Sequence, residues 1–124
     1  MTSPLISLAT HGAAAALAFT LSTAAFAHAK PEKTEPAANA VVATAPKAVS
    51  IDFTETLEPA FSSIVVVDAG GKPAASGKAV IGTADRKHMS VALNPLEAGT
   101  YTVKWVAVAT DGHRTQGSYT FSVK

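Results

Sequence analysis

The chain has 124 residues, a formal net charge of +1 and no cysteine. That length fits one domain, and the near-balance of charge gives no electrostatic footprint for nucleic acid or for an anionic membrane surface. Without cysteine there is neither a disulfide staple nor a thiolate metal site.

Charge is unevenly spread along the chain. Residues 1–27 contain no Asp, Glu, Lys or Arg. Within them residues 13–21 form an apolar run, and Ala25-Phe26-Ala27 has the small-x-small form that signal peptidase cuts. The run is shorter than the roughly 20 apolar residues a membrane-spanning helix needs. Residues 1–27 therefore read as a helical export signal, removed after Ala27. One feature departs from that pattern: the segment opens with its α-amine and His11 where Lys or Arg is usual. Cleavage would leave residues 28–124 as a single exported domain, periplasmic or secreted.

Residues 28–47 are rich in Pro, Ala, Glu and Lys and read as an extended arm with at most one short strand, around Val41. Beyond them the pattern is β throughout. Val49, Ile51 and Phe53 alternate with Ser50, Asp52 and Thr54, the period of a half-buried strand. Residues 64–67 are a β-branched run closed by the turn Asp68-Ala69-Gly70-Gly71. Residues 80–81 and 89–93 read as strands, separated by a polar loop over 83–87, and 94–99 as a turn-rich connection. Residues 100–109 make the strongest strand, with Tyr101, Val103, Trp105 and Ala107 on one face. Tyr119, Phe121 and Val123 mark the last one. The Gly99-Thr100-Tyr101 corner suits a tyrosine corner, in which the phenol bonds back to nearby backbone. Short strands separated by turns, with no helical periodicity after Ala27, predict an antiparallel β-sandwich or barrel.

The chain has four histidines: His11, His28, His88 and His113. His11 leaves with the signal. Cleavage after Ala27 makes His28 the first residue of the mature chain, where it offers an α-amine and an imidazole from one residue. An α-amine has an ordinary pKa of about 7.7–8.0, so a divalent ion displaces its proton at neutral pH. Asp111-Gly112-His113 lies in the loop between the last two strands. Its carboxylate and imidazole can turn to one side, because Gly112 carries no Cβ. His28, Asp111 and His113 together supply three nitrogens and one oxygen, a tetragonal donor set that favours Cu(II). Soft donors are lacking, because Met89 is the only methionine after Met1. Asp-Gly-His by itself also fits a plain surface turn, and His88, beside Arg86 and Lys87, reads as a solvated loop residue.

These residues fall in an order that resembles the CopC family of periplasmic copper-binding proteins, over essentially all of residues 28–124. The resemblance runs through His28-Ala29, Pro36-Ala37-Ala38-Asn39, and the Pro-x-x-Val-x-Ile-x-Phe-Thr-Glu segment from Pro46 to Glu55. It continues through Gly-Thr-Tyr-x-Val-x-Trp from Gly99 to Trp105, then Asp111-Gly112-His113, Gly117 and the terminal Phe121-Ser122-Val123. It implies an immunoglobulin-like Greek-key β-sandwich, of the cupredoxin-like kind, with one Cu(II) at one end. It also implies His28, Asp111 and His113 as ligands, with Glu55 near the metal as an outer-shell carboxylate or weak ligand. The methionine-rich Cu(I) site of some members has no counterpart, since residues 68–78 hold neither Met nor His. The resemblance further implies a role in copper resistance and delivery to an inner-membrane transporter, CopD. A monomer that binds copper without catalysis is the expectation. The competing readings are a histidine-brace oxidative enzyme of the lytic polysaccharide monooxygenase type and an Ig-like adhesive module without metal. Against the enzyme stand the short chain, the lack of a broad aromatic surface and an Asp111 that would fill a fourth equatorial position.

Overall fold

A computed structural model describes residues 28–124; the expected export signal and its cleavage site, residues 1–27, lie outside the described residues. The described residues form eight strands: β1 (Pro31–Glu35), β2 (Val41–Val42), β3 (Ala48–Phe53), β4 (Ser63–Val67), β5 (Val80–Ile81), β6 (His88–Ala92), β7 (Gly99–Val108) and β8 (Arg114–Val123). They build two four-stranded sheets, ordered β1-β3-β6-β5 and β2-β8-β7-β4. The short β2–β8 pair is parallel and the other neighbours are antiparallel. The all-β sandwich expected from the alternating pattern is the fold observed.

The period-two pattern decides what each sheet turns inward. In β3, Val49, Ile51 and Phe53 are buried while Ala48, Ser50 and Asp52 are not. In β7, Tyr101, Val103 and Ala107 are buried, and Trp105 on the same face is half-buried. Phe53, Phe121, Ile51, Leu57 and Met89 are the largest side chains sealed between the sheets. Each such burial contributes roughly 1.5–3 kcal/mol relative to exposure. Tyr101 makes the tyrosine corner, its hydroxyl donating to the Glu97 carbonyl at 2.7 Å and its ring stacked on Phe121.

Two departures from the sequence expectation concern strands without an apolar period. Residues 31–35, expected as part of an extended arm, pair with β3 as edge strand β1, with Thr34 opposite Ile51 and Glu35 opposite Ser50. None of its side chains is fully buried, so hydrophobic alternation could not announce it. The final strand likewise begins at Arg114, well before Tyr119, because backbone pairing with β7 continues to Val108 opposite Arg114.

Trp105 rests on a flat site. Gly117 lies directly opposite it in the β7–β8 ladder, and a Cβ there would come within 2.5 Å of the indole. The other side of the ring meets Phe53 edge to face, centroids 5.3 Å apart. Gly117→Ala is therefore expected to destabilise the domain by about 1–3 kcal/mol, the usual range for overpacking. Urea unfolding followed through the fluorescence of Trp105, the chain's single tryptophan, checks this.

Burial pushes the Tyr119 phenol up to about 12, partly offset by the neighbouring Thr34. Below about pH 10 the phenol is neutral in both folded and unfolded chains and contributes nothing to pH dependence. Between about 10 and 12 the unfolded chain releases this proton and the folded one keeps it, so stability falls as pH rises. Tyr119→Phe should flatten that alkaline decline, as read from thermal unfolding between pH 9 and 11.

Candidate metal centre

The β7–β8 hairpin ends in a tight loop. The Ala109 N–H donates to the His113 carbonyl at 3.0 Å, and the Gly112 N–H to the Ala109 carbonyl at 2.8 Å. Gly112 sits at φ +89°, a left-handed conformation that glycine adopts without steric cost. The glycine between the two presumptive ligands thus lets the chain turn sharply enough for both to stay on one loop. The loop is tied down from the side: Thr110 N–H donates to the Thr56 carbonyl at 3.1 Å, Glu58 N–H to the Val108 carbonyl at 2.8 Å, and Leu57 bridges to Ala109.

Asp111 and His113 are joined twice. One carboxylate oxygen accepts from the His113 backbone N–H at 3.0 Å, and the other lies 3.0 Å from His113 Nδ1. These contacts hold the Asp111 carboxyl below the usual carboxylate range. The His113 backbone N–H is the leading cause, followed by its ring, with weaker charge contributions from His113 and His28. Asp111 is therefore a carboxylate at any pH where an imidazole is neutral, which is the form each needs to donate to a metal.

His28 comes from the other end of the chain. Its ring stands edge-on to that of His113, centroids 5.4 Å apart. Three sequence-identified donors, His28, Asp111 and His113, thus share one end of the sandwich although 83 to 85 residues separate the first from the others. Among the described residues no three His, Asp or Glu side chains are already close enough to enclose an ion. His28 is exposed and His113 half-buried. Side chains with this exposure change rotamer on the picosecond to nanosecond scale. The donor chemistry, imidazole and carboxylate without sulfur, fits a borderline divalent ion.

Glu55 follows β3, half-buried. Its two chain neighbours bond to the two halves of the site: the Thr54 hydroxyl to the His28 carbonyl, and the Thr56 carbonyl to Thr110. That places Glu55 at the same end, where the described residues form no ready-made cluster of three metal-ligating side chains, with or without it. His88 is not the solvated loop residue expected from its basic neighbours. It opens β6 directly opposite Asp52 of β3, on the outer face of its sheet, with Nδ1 2.5 Å from the Asp52 carboxylate. A cross-strand partner explains its place: the loop ends where pairing begins. What sequence reasoning missed altogether are Thr54 and Thr115, whose hydroxyls bond backbone near His28.

The sandwich thus brings imidazole and carboxylate groups from residue 28 and from its last hairpin to one end, the donor types that metal-binding domains use. Comparison with known proteins says which kind: residues 31–124 match the CopC domain model, and the chain belongs to the CopC family. It is 41% identical over 100 residues to protein YobA of Escherichia coli K12, covering 80% of this chain and 81% of that one. It is 39% identical over 110 residues to copper resistance protein C of Pseudomonas syringae pv. tomato, covering 84% and 86%. Its fold superposes on the crystal structure of PcoC, a methionine-rich copper resistance protein from Escherichia coli, with a TM-score of 0.71 and 36% identity over 79% of this chain and all of that one.

Proposed function

We propose that this protein binds one Cu(II) ion per chain at the end of the sandwich where His28 meets the Asp111–His113 loop, and that it serves copper resistance and homeostasis. The observation that carries the reading is the 5.4 Å approach of the His28 and His113 rings beside a carboxylate bonded to His113, in a chain that belongs to the CopC family. The ligands are the α-amine and imidazole of His28, the Asp111 carboxylate and the His113 imidazole, with Glu55 as a weak or outer ligand. Copper is favoured over zinc because nitrogen and oxygen donors in a square arrangement suit its d-electron count, and because copper heads the divalent affinity series.

The role is to hold copper, not to react with it. A carboxylate in the fourth equatorial position leaves no open place of the kind a metal uses to activate substrate. The donors sit on exposed or half-buried side chains, which suits loading and release. The protein acts as a monomer in the periplasm after removal of residues 1–27, and hands its copper to a CopD-like transporter of the inner membrane. The relative from Pseudomonas syringae is a copper resistance protein by name, which agrees with this role.

Protein isolated from the periplasm is expected to have the intact mass of a chain beginning at His28. It should take up one equivalent of Cu(II) with nitrogen hyperfine splitting in its electron paramagnetic resonance spectrum. Extra residues before His28 convert the α-amine to an amide and should weaken binding at least about tenfold, equivalent to one lost donor worth about 1.4 kcal/mol. Equal affinity for the extended and native forms would remove the terminus from the site.

Copper should also leave on acidification, because both imidazoles and the amine must be deprotonated to coordinate. The chain with His113→Ala should retain less copper than the native chain at every pH tested, as measured by equilibrium dialysis. Retention equal to that of the native chain would exclude His113 as a ligand.

A further inference from the structure

His28 lies at the tip of a segment that could swing freely, yet its ring is held against His113. Residues 28–30 are fixed at three points. Ala29 is 0% exposed, its methyl packed into the core between the sheets. On one side, Thr54 at the end of β3 uses its backbone and its hydroxyl together. Its N–H donates to the Lys30 carbonyl at 2.9 Å, its oxygen accepts from the Lys30 N–H at 3.0 Å, and its hydroxyl proton goes to the His28 carbonyl at 3.3 Å. On the other side, Thr115 of β8 donates to the Ala29 carbonyl at 2.7 Å, in preference to the Ala107 carbonyl at 3.4 Å. Thr54 directly follows β3 of one sheet, and Thr115 lies in β8 of the other.

We infer that Thr54 and Thr115 are positioning residues that grip the backbone of residues 28–30 from both sheets and so preorganise the N-terminal donors toward the Asp111–His113 loop. The inference rests on the proposed role of His28 as a copper ligand. A terminal residue left loose pays the entropy of fixing its backbone when metal binds, about 1–2 kcal/mol per residue. Here that cost is met on folding. Location supports the assignment: Thr54 adjoins Glu55 and Thr115 lies two residues beyond His113, so each threonine ties the arm to a stretch of chain that also carries a metal-site residue. A hydroxyl suits both places because it donates to the His28 and Ala29 carbonyls and, at Thr54, also accepts from the Lys30 N–H. The buried Ala29 sets the depth of the arm, since a larger side chain has no room at a fully enclosed position.

The test uses the chain beginning at His28, with Thr54 and Thr115 each changed to Val and, separately, to Ser. Val keeps the shape and β preference of Thr and removes the donor; Ser keeps the donor. Thermal unfolding confirms that each variant is folded, and Ala replaces Val at any position where the Val variant is not. Cu(II) affinity should fall roughly tenfold in the donor-less variants, the effect expected for one lost hydrogen bond that leaves a carbonyl unpaired, and Ser should restore it. The Cu(II) resonance spectrum should broaden into more than one species. In the metal-free protein, the nuclear Overhauser contact between the His28 and His113 rings should weaken in step. A merely structural role would lower the melting temperature and leave the spectrum and the ring contact unchanged, and that result would overturn the inference. Should the native chain itself take up no Cu(II), the proposed function falls, while the ring contact in metal-free protein still decides whether the two threonines position His28.

Discussion

The burial of Ala29 between the two sheets is the constraint on which the placement of His28 beside the β7–β8 hairpin depends. Ala29 is fully enclosed, and it belongs to the same cluster as Phe53, Leu57 and Ala107. The residue before it, His28, cannot then be placed independently of the fold. Once the sandwich closes on the Ala29 methyl, His28 is carried to the end of the barrel where the β7–β8 hairpin turns. The hydrogen bonds of Thr54 and Thr115 complete that placement by satisfying carbonyls that would otherwise sit unpaired at the mouth of the core. Core packing and site assembly are therefore one event. Bringing two distant stretches of chain together carries the entropic cost of loop closure, and here folding meets that cost for His28 and the Asp111–His113 loop.

Electrostatics then decide what the assembled end can hold. Two imidazoles near each other gain nothing from mutual contact when charged, and a neighbouring carboxylate offsets that repulsion. Asp111 does so while both its oxygens engage His113, which keeps it ionised and keeps the loop in one conformation. The resulting end carries imidazole nitrogens beside an ionised carboxylate on exposed or half-buried side chains, a combination suited to a hydrated divalent cation.

Much of this was legible in the amino-acid sequence, and the parts that were not share one physical cause. Strands β3, β4, β6 and β7 are half-buried, so their side chains alternate and the pattern can be read. Strand β1 is an edge with no enclosed side chain, held by backbone pairing alone, and backbone pairing leaves no trace in side-chain chemistry. The donors His28, Asp111 and His113 stand out because histidine is scarce and because Gly112 separates the pair in a way only a turn needs. Thr54 and Thr115 do not stand out, because a threonine that bonds a distant carbonyl looks like any strand threonine until the two ends of the chain are brought together. His88 was misread for a related reason: its partner, Asp52, is adjacent only across the β3–β6 ladder.

The position of the single sulfur in residues 28–124 extends the same reasoning to the metal's oxidation state. Met89 is 0% exposed and points inward from β6, opposite Ile51, where its flexible thioether fills space in the core. It is thus withdrawn from metal chemistry by the alternation that makes β6 a strand: residues 88 and 90 face out, 89 and 91 face in. Moving a thioether to the surface would require a register shift of one residue, which would also bring Val91 out of the core and turn His88 and Ser90 into it. A thioether site for Cu(I) would have to be built elsewhere, and the loop over residues 68–78, which supplies neither Met nor His, does not build it. On the proposed function, the donors that remain are hard or borderline nitrogens and oxygens that lie at one end of the sandwich, a set that suits a single Cu(II) site.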